Sequence, residues 1–288
     1  MSAALYHPDT EVYVAQFVAA PAHAILLLAP SGAGKRTLAR DLSARLLGTS
    51  IEQLDSHPYF KLIEPIDAKM ISIESVRDIT HFLMLRTAGG DHTARVVLIE
   101  NAGMMTTQAQ NALLKTIEEP PPGTVLILTA PNELDILPTI RSRVQAISVK
   151  LPSSDMLKQY FSDADFAPDA IDKALMMSDG LPGLTQALLA DDSTHPLVIA
   201  ATKAREVLQK STFERLLLID DLVKQKQQWL DVLFIIQRMA EINLRKAGTS
   251  DAALRRWHAV LAASHEAYGQ TLASAQAKLV ALQFMLSI

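Results

Sequence analysis

Cysteine is absent from this sequence of 288 residues. Without thiols the chain can form neither a disulfide nor a thiolate-ligated zinc site, and this composition fits the reducing cytosol. Hydrophobic residues make up 49% and charged residues 20% of the chain, so we expect large packed cores rather than disorder. The length is sufficient for two domains or three small ones.

The sequence also lacks a strong charge imbalance, a long apolar run and a basic start. A net charge of -4 and a pI near 6.1 argue against non-specific nucleic-acid binding over the whole surface, though not against a local basic patch. The apolar run at residues 24–28 is too short to span a bilayer. The first residues carry acids, so we expect no secretory signal. The sequence therefore predicts a cytoplasmic protein that does not contact a membrane.

Between about residues 22 and 150, short apolar runs alternate with helical patterns. Runs without strict alternation favour strands buried on both faces, and helical connections between them favour a largely parallel sheet. The runs read "AILLLA", "YFKLIEP", "RVVLIE", "TVLILTA" and "QAISVKL". This part of the sequence predicts an α/β domain.

From residue 152 onward the pattern is helical. Breaks are expected at Pro168, Gly180 and Pro182, and residues 197–288 read as amphipathic helices. One helix should carry an apolar stripe, formed by Leu230, Leu233, Ile236 and Leu244, and should stop near Gly248. The sequence does not decide whether this stripe packs internally or against another subunit.

The segment "LLLAPSGAGKRTLARDL", residues 26–42, is similar to a phosphate-binding loop, G-x-x-x-x-G-K-[ST]. Gly32 and Gly34 allow amide groups to turn towards an anion, and Lys35 adds a positive charge at a helix start. However, Arg36 stands where the Mg²⁺-binding hydroxyl is expected, and Thr37 lies one residue late, turned by about 100°. A glycine-rich strand-to-helix turn that holds no ligand is the simpler alternative.

The segment "RVVLIENAGMMT", residues 95–106, has the form of the acidic strand that accompanies such a loop. In an active ATPase the first acid organises Mg²⁺ and the second orients the attacking water. Glu100 holds the first place and could reach a metal, but Asn101 holds the second and cannot act as a base. An ordinary buried strand with a polar end would give the same pattern.

A third segment indicates a family. Residues 108–144 contain "NALLKTIEEPP" and "LPTIRSR", and this stretch resembles the clamp-loader branch of the AAA+ ATPases. The resemblance is strong from about residue 22 to 149 and weaker over the helical remainder.

The resemblance implies a particular division of roles. The family's Ser-Arg-Cys signature falls on Ser142 and Arg143, and that arginine serves the ATP site of a neighbouring subunit. Four positions that would serve the chain's own site depart from the family pattern: Ala29, Arg36, Asn101 and Gly183, the last in the sensor-2 position. The zinc module of active members is missing as well.

We therefore expect a RecA-like AAA+ module with a parallel sheet at residues 1–150, a helical lid at 151–195 and a helical collar at 196–288. The resemblance implies a largely non-hydrolysing subunit of a DNA-directed DNA polymerase holoenzyme that helps to load a sliding clamp on primed DNA. Its expected partners are other clamp-loader subunits in a hetero-oligomeric ring, and through them the clamp and the DNA.

The expected site residues are Arg143, the trans-acting arginine, and a degenerate nucleotide site made of Gly32, Gly34, Lys35, Thr37 and Glu100. No cofactor should be required, any ATP or ADP should bind weakly, and no metal site is expected. The alternatives are a competent P-loop ATPase or kinase, and a solitary DNA-binding scaffold.

Overall fold

The computed structural model describes the chain apart from residues 1–4, 66–69, 85–92, 94, 247–250 and 274. Its residues group into two compact units, 1–165 with 180–182 and 166–179 with 183–288. The predicted boundaries at residues 150 and 195 stay predictions. Within the described residues, no helix is long and apolar enough to cross a bilayer.

The first unit holds a five-stranded sheet in the order β2-β3-β4-β1-β5, with every pairing parallel. The strands are β1 (Ala24–Leu28), β2 (Phe60–Ile63), β3 (Arg95–Ile99), β4 (Thr124–Ala130) and β5 (Gln145–Ser148). Each lies within one of the apolar runs quoted above, so the predicted α/β class and parallel sheet are confirmed.

Helices pack on both faces of this sheet. Those of the first unit are α1 (Pro8–Ala19), α2 (Lys35–Leu47), α3 (Ile73–Leu83), α4 (Thr107–Glu118), α5 (Pro138–Arg141) and α6 (Ser154–Ser162). Leu26, Val97 and Leu126 face a core shared with α3 and α4, whereas Ile25 and Val96 face a second core shared with α1 and α2. Both faces of the central strands are therefore covered, which explains runs without alternation.

The described part of the second unit is helical. Its helices are α7 (Pro168–Ser178), α8 (Pro182–Leu189), α9 (Pro196–Gln209), α10 (Thr212–Leu222), α11 (Lys226–Lys246), α12 (Asp251–Leu272) and α13 (Ala277–Ser287). Pro168 and Pro182 each stand at the first position of a helix, where a missing amide hydrogen costs nothing. The predicted helix stop at Gly248 lies outside the described residues.

Helix α11 forms the centre of the second unit. The predicted apolar stripe consists of three buried residues, Leu230, Leu233 and Ile236, and the half-buried Leu244. The stripe therefore packs against other parts of this chain and not against another subunit. At one end of the stripe, the rings of Trp229 and Phe284 meet edge to face with centroids 5.8 Å apart.

Asp179 joins the end of α7 to α11. Its carboxylate lies 2.6 Å from the Arg238 guanidinium and 3.0 Å from that of Arg245, and Arg238 also donates to the Asp179 carbonyl. Asp179 itself has a left-handed backbone, with φ +49°. Two arginines from one helix thus fix the turn that ends another.

Candidate functional site

The phosphate-loop segment lies between the end of β1 and the start of α2. Gly32 and Gly34 adopt φ +79° and +86°, a region that costs side chains with a Cβ about 1–2 kcal/mol. Gly34 also accepts the first helical hydrogen bond, from the amide of Leu38 at 3.0 Å. The two glycines therefore shape the loop, as expected from their positions.

Lys35 is the first residue of α2 and is buried. Its ammonium group donates to the carbonyl oxygens of Ala29 and, at 2.8 Å, of Pro30. The Lys35 ammonium group, which would bind a phosphate in an active loop, thus donates to carbonyl groups of its own loop.

Arg36 is exposed, but its guanidinium group turns to two carboxylates. Its Nε lies 3.3 Å from Oε2 of Glu100, and its Nη2 lies 3.1 Å from Oε2 of Glu64. Glu64 follows β2 and Glu100 follows β3, two neighbouring parallel strands whose carboxyl ends meet at this edge of the sheet. No motif in the sequence indicates that Glu64 belongs to the site.

The Glu100 carboxyl group is buried, with 7% of its side chain exposed. Burial raises its pKa, and the Arg36 charge opposes that shift. Among the described residues, Oε1 of Glu100 has no hydrogen-bond partner. The Arg36 charge therefore stabilises a carboxylate that would otherwise be costly to bury.

Asn101 adopts a left-handed backbone, with φ +50°, at the start of a 3-10 turn at Ala102–Met104. Its amide donates to Oγ1 of Thr129 on β4, at 3.0 Å. Asparagine tolerates this backbone region better than most side chains. Asn101 thus suits the backbone conformation of this turn, although its side chain cannot act as a base.

The residues of this site do not fit a bound Mg²⁺ ion. The position that should supply a hydroxyl carries a cation, and that cation already pairs with the acid that should face the metal. Thr37 is exposed, as the third residue of α2, and Gly183, in the sensor-2 position, is the second residue of α8 in the other unit.

Arg143 lies at the opposite edge of the sheet. It lies two residues before β5, whose Gln145 pairs with Ile25 near the start of β1, whereas the phosphate loop follows the end of β1. At 3.3 Å per residue, the length of β1 alone separates the two edges by roughly 13 Å. The structure therefore brings Gly32, Gly34, Lys35 and Glu100 together and leaves Arg143 away from them.

Side chains of helix α4 bind the segment that contains Arg143 through hydrogen bonds and an ion pair. The Arg143 Nε lies 2.7 Å from Oε1 of Glu118, and its Nη1 donates to the carbonyl of Thr139 and to Oγ of Ser142, each at 3.0 Å. Nearer the start of α4, the buried Gln110 accepts from the Leu137 amide at 2.9 Å. Sequence reasoning missed both α4 residues, although they lie in the stretch that carries the family resemblance.

Residues 18–153 match the family described as DNA polymerase III, delta subunit. The chain is 34% identical to the DNA polymerase III subunit delta' of Pseudomonas aeruginosa, over 58% of this chain and 56% of that protein. It is 32% identical to the subunit delta' of Escherichia coli, over 65% of this chain and 60% of that protein. The recognition of the clamp-loader pattern in the sequence is thereby confirmed.

The chain matches somewhat more than half the length of these delta' subunits. A solved structure supports the fold over a longer stretch: a DNA polymerase III gamma-subunit-related protein from Thermotoga maritima covers 96% of this chain and 97% of its own, with a TM-score of 0.53 and 18% identity. At that identity the likeness concerns the fold alone, and it agrees with the predicted RecA-like module followed by helices.

Proposed function

We propose that this chain is a delta'-type subunit of a DNA polymerase III clamp loader that does not hydrolyse ATP in its own site. It would contribute structure to a ring of related subunits and deliver Arg143 to the ATP site of a neighbour, so that the ring can place a sliding clamp on primed DNA. The family match supports the first part, and the two edges of the sheet support the second.

The observation that carries the proposal is the separation of Arg143 from the chain's own phosphate loop. An arginine that precedes β5 lies away from a loop that follows β1, which supports a role for Arg143 at a phosphate bound by another subunit. A guanidinium group suits that task because it stays charged and its planar fork pairs with phosphate oxygens.

We expect the isolated chain to release no phosphate from ATP above background. Arg36 already pairs with Glu100, and Asn101 cannot act as a base for an attacking water. A steady-state phosphate-release assay measures this directly, with Lys35→Ala as the control. Turnover that disappears in Lys35→Ala would favour the alternative of a competent P-loop ATPase.

The arginine is tested in a complex reconstituted with the clamp-loader ATPase subunits. Arg143→Ala should leave assembly intact and lower ATP hydrolysis stimulated by clamp and DNA, by about a thousandfold or more if the finger acts at one dominant site. Arg141→Ala is the matched control, since Arg141 pairs with Glu133 at 3.4 Å and is not the signature residue. Equal hydrolysis by both variants and the wild type would reduce the subunit to a structural role.

We further propose that the C-terminal helices join a collar with the helical domains of neighbouring subunits. Because the α11 stripe is buried, the candidate surface lies on α10 and α13. These two helices pack together, and Arg215 near the start of α10 donates to the carbonyl of Ile288. Both also expose large apolar side chains: Phe213, Leu217, Leu279, Leu282 and Leu286.

A further inference from the structure

Both cations at the start of α2 are already paired with oxygen atoms of the chain itself. Lys35 bonds to carbonyl groups of the loop, and Arg36 pairs with Glu100 and Glu64. The formal charges of these four side chains sum to zero, so the chain itself balances the charge of this site.

We infer that the Arg36 guanidinium replaces the divalent cation at this site, neutralising Glu100 from within the chain and excluding Mg²⁺. This deepens the proposed function and rests on it, because both concern a site that hydrolyses no ATP. It goes further because it names Arg36 as the side chain that keeps Mg²⁺ out. It also predicts that replacing Arg36 allows Mg²⁺ to bind.

The geometry supports a replacement rather than an incidental surface pair. Glu100 is buried, and its acceptor atom Oε2 lies 3.3 Å from a cation attached one residue after the phosphate-loop lysine. That residue is the one whose side chain would bind the metal in an active loop. Glu64 binds the same guanidinium, so the cation bridges the ends of β2 and β3 much as a metal bridges carboxylates.

Removing the guanidinium should therefore reopen the site to a metal. In Arg36→Thr, a hydroxyl returns to the position after Lys35, and Glu100 is left buried without its counter-ion. The variant should unfold at a lower temperature than the wild type in the absence of metal, since an unpaired buried carboxylate is costly. Mg²⁺ that binds only the folded state should then restore part of the loss.

The experiment compares melting temperatures of the full chain with and without millimolar Mg²⁺. We expect no shift for the wild type and a rise of about 2–4 °C for Arg36→Thr. Arg36→Thr combined with Glu100→Gln should lose the response, since the ligand for the metal is gone. Arg45→Thr is the matched control: this arginine also lies on α2 but pairs with Glu11 at 2.6 Å and Asp41 at 2.8 Å, and its loss should create no response to Mg²⁺.

A wild-type chain that Mg²⁺ stabilises as much as it stabilises Arg36→Thr would overturn the inference, and so would an Arg36→Thr variant that ignores the metal. If Arg36→Thr does not fold, Arg36→Gln gives the same comparison, since it keeps a hydrogen-bond donor for Glu100 but no charge. None of these measurements involves Arg143. Failure of the metal inference is therefore distinct from failure of the finger in the reconstituted complex.

Discussion

The left-handed backbone at Asn101 makes this position sensitive to the shape of its side chain. With φ +50°, a Cβ-branched residue would be strained, and glycine would not be. We expect Asn101→Val to lower the free energy of unfolding by about 1–2 kcal/mol and Asn101→Gly to lower it much less. Urea denaturation of the two variants checks this. Equal losses would show that the strain is relieved elsewhere and that the backbone role is wrong.

Single residues were predictable from the sequence where one short segment defines their place. Gly32, Gly34 and Lys35 lie together as the phosphate-loop pattern requires. The pair of Arg36 with Glu100 could not be foreseen, because it joins residues far apart in the chain that only the packing of β3 beside α2 brings together. The sequence gives each partner's type, and the fold decides that they meet.

At the scale of elements, α4 links the core of the first unit to Arg143. Its buried face includes Leu113 and Ile117, while Gln110 and Glu118 hold the chain before and after α5. The phrase "NALLKTIEEPP" therefore combines packing residues and residues that fix a neighbouring segment. The helix thus contributes both to the core and to the position of Arg143.

Glu118 should position Arg143 without contributing much to stability. The pair is about half exposed, so Glu118→Gln should change the free energy of unfolding by about 0–1 kcal/mol. In the reconstituted complex it should lower ATP hydrolysis by a smaller factor than Arg143→Ala, because the guanidinium stays but loses its anchor. Glu119→Gln, at the next residue, which is also exposed, is the control. Identical hydrolysis by both glutamine variants would remove the positioning role.

The sequence predicts where the strands and helices lie better than it predicts which helices pack against each other. Each strand lies in a predicted apolar run, because burial on both faces leaves a continuous signal. Which helices pack together depends on contacts such as Asp179 with Arg238 and Arg245, separated by some 60 residues. Periodicity within a helix reports which face is buried and does not identify the partner.

At the scale of the whole molecule, the exposed apolar residues of α10 test the proposed collar. Phe213 is 71% and Leu217 is 68% exposed, so replacing both with serine should change the stability of the isolated chain by no more than about 0.5 kcal/mol each. The same variant should co-elute less with the clamp-loader subunits on gel filtration. Leu233→Ser provides the contrast: this side chain is fully buried, so its replacement should destabilise the chain itself. Unchanged co-elution of the double variant would place the collar contact elsewhere.

The common direction of the five strands allows one subunit to contact two different neighbours through Arg143 and the phosphate loop. The strand ends near Arg143 and those near the phosphate loop lie on opposite edges of the sheet. Modules that exchange an arginine through two such edges can stack head to tail, which gives closed rings or open arcs. If Arg143 serves a neighbour and the phosphate-loop edge binds no Mg²⁺, as proposed above, this chain stands at the beginning or the end of such an arc.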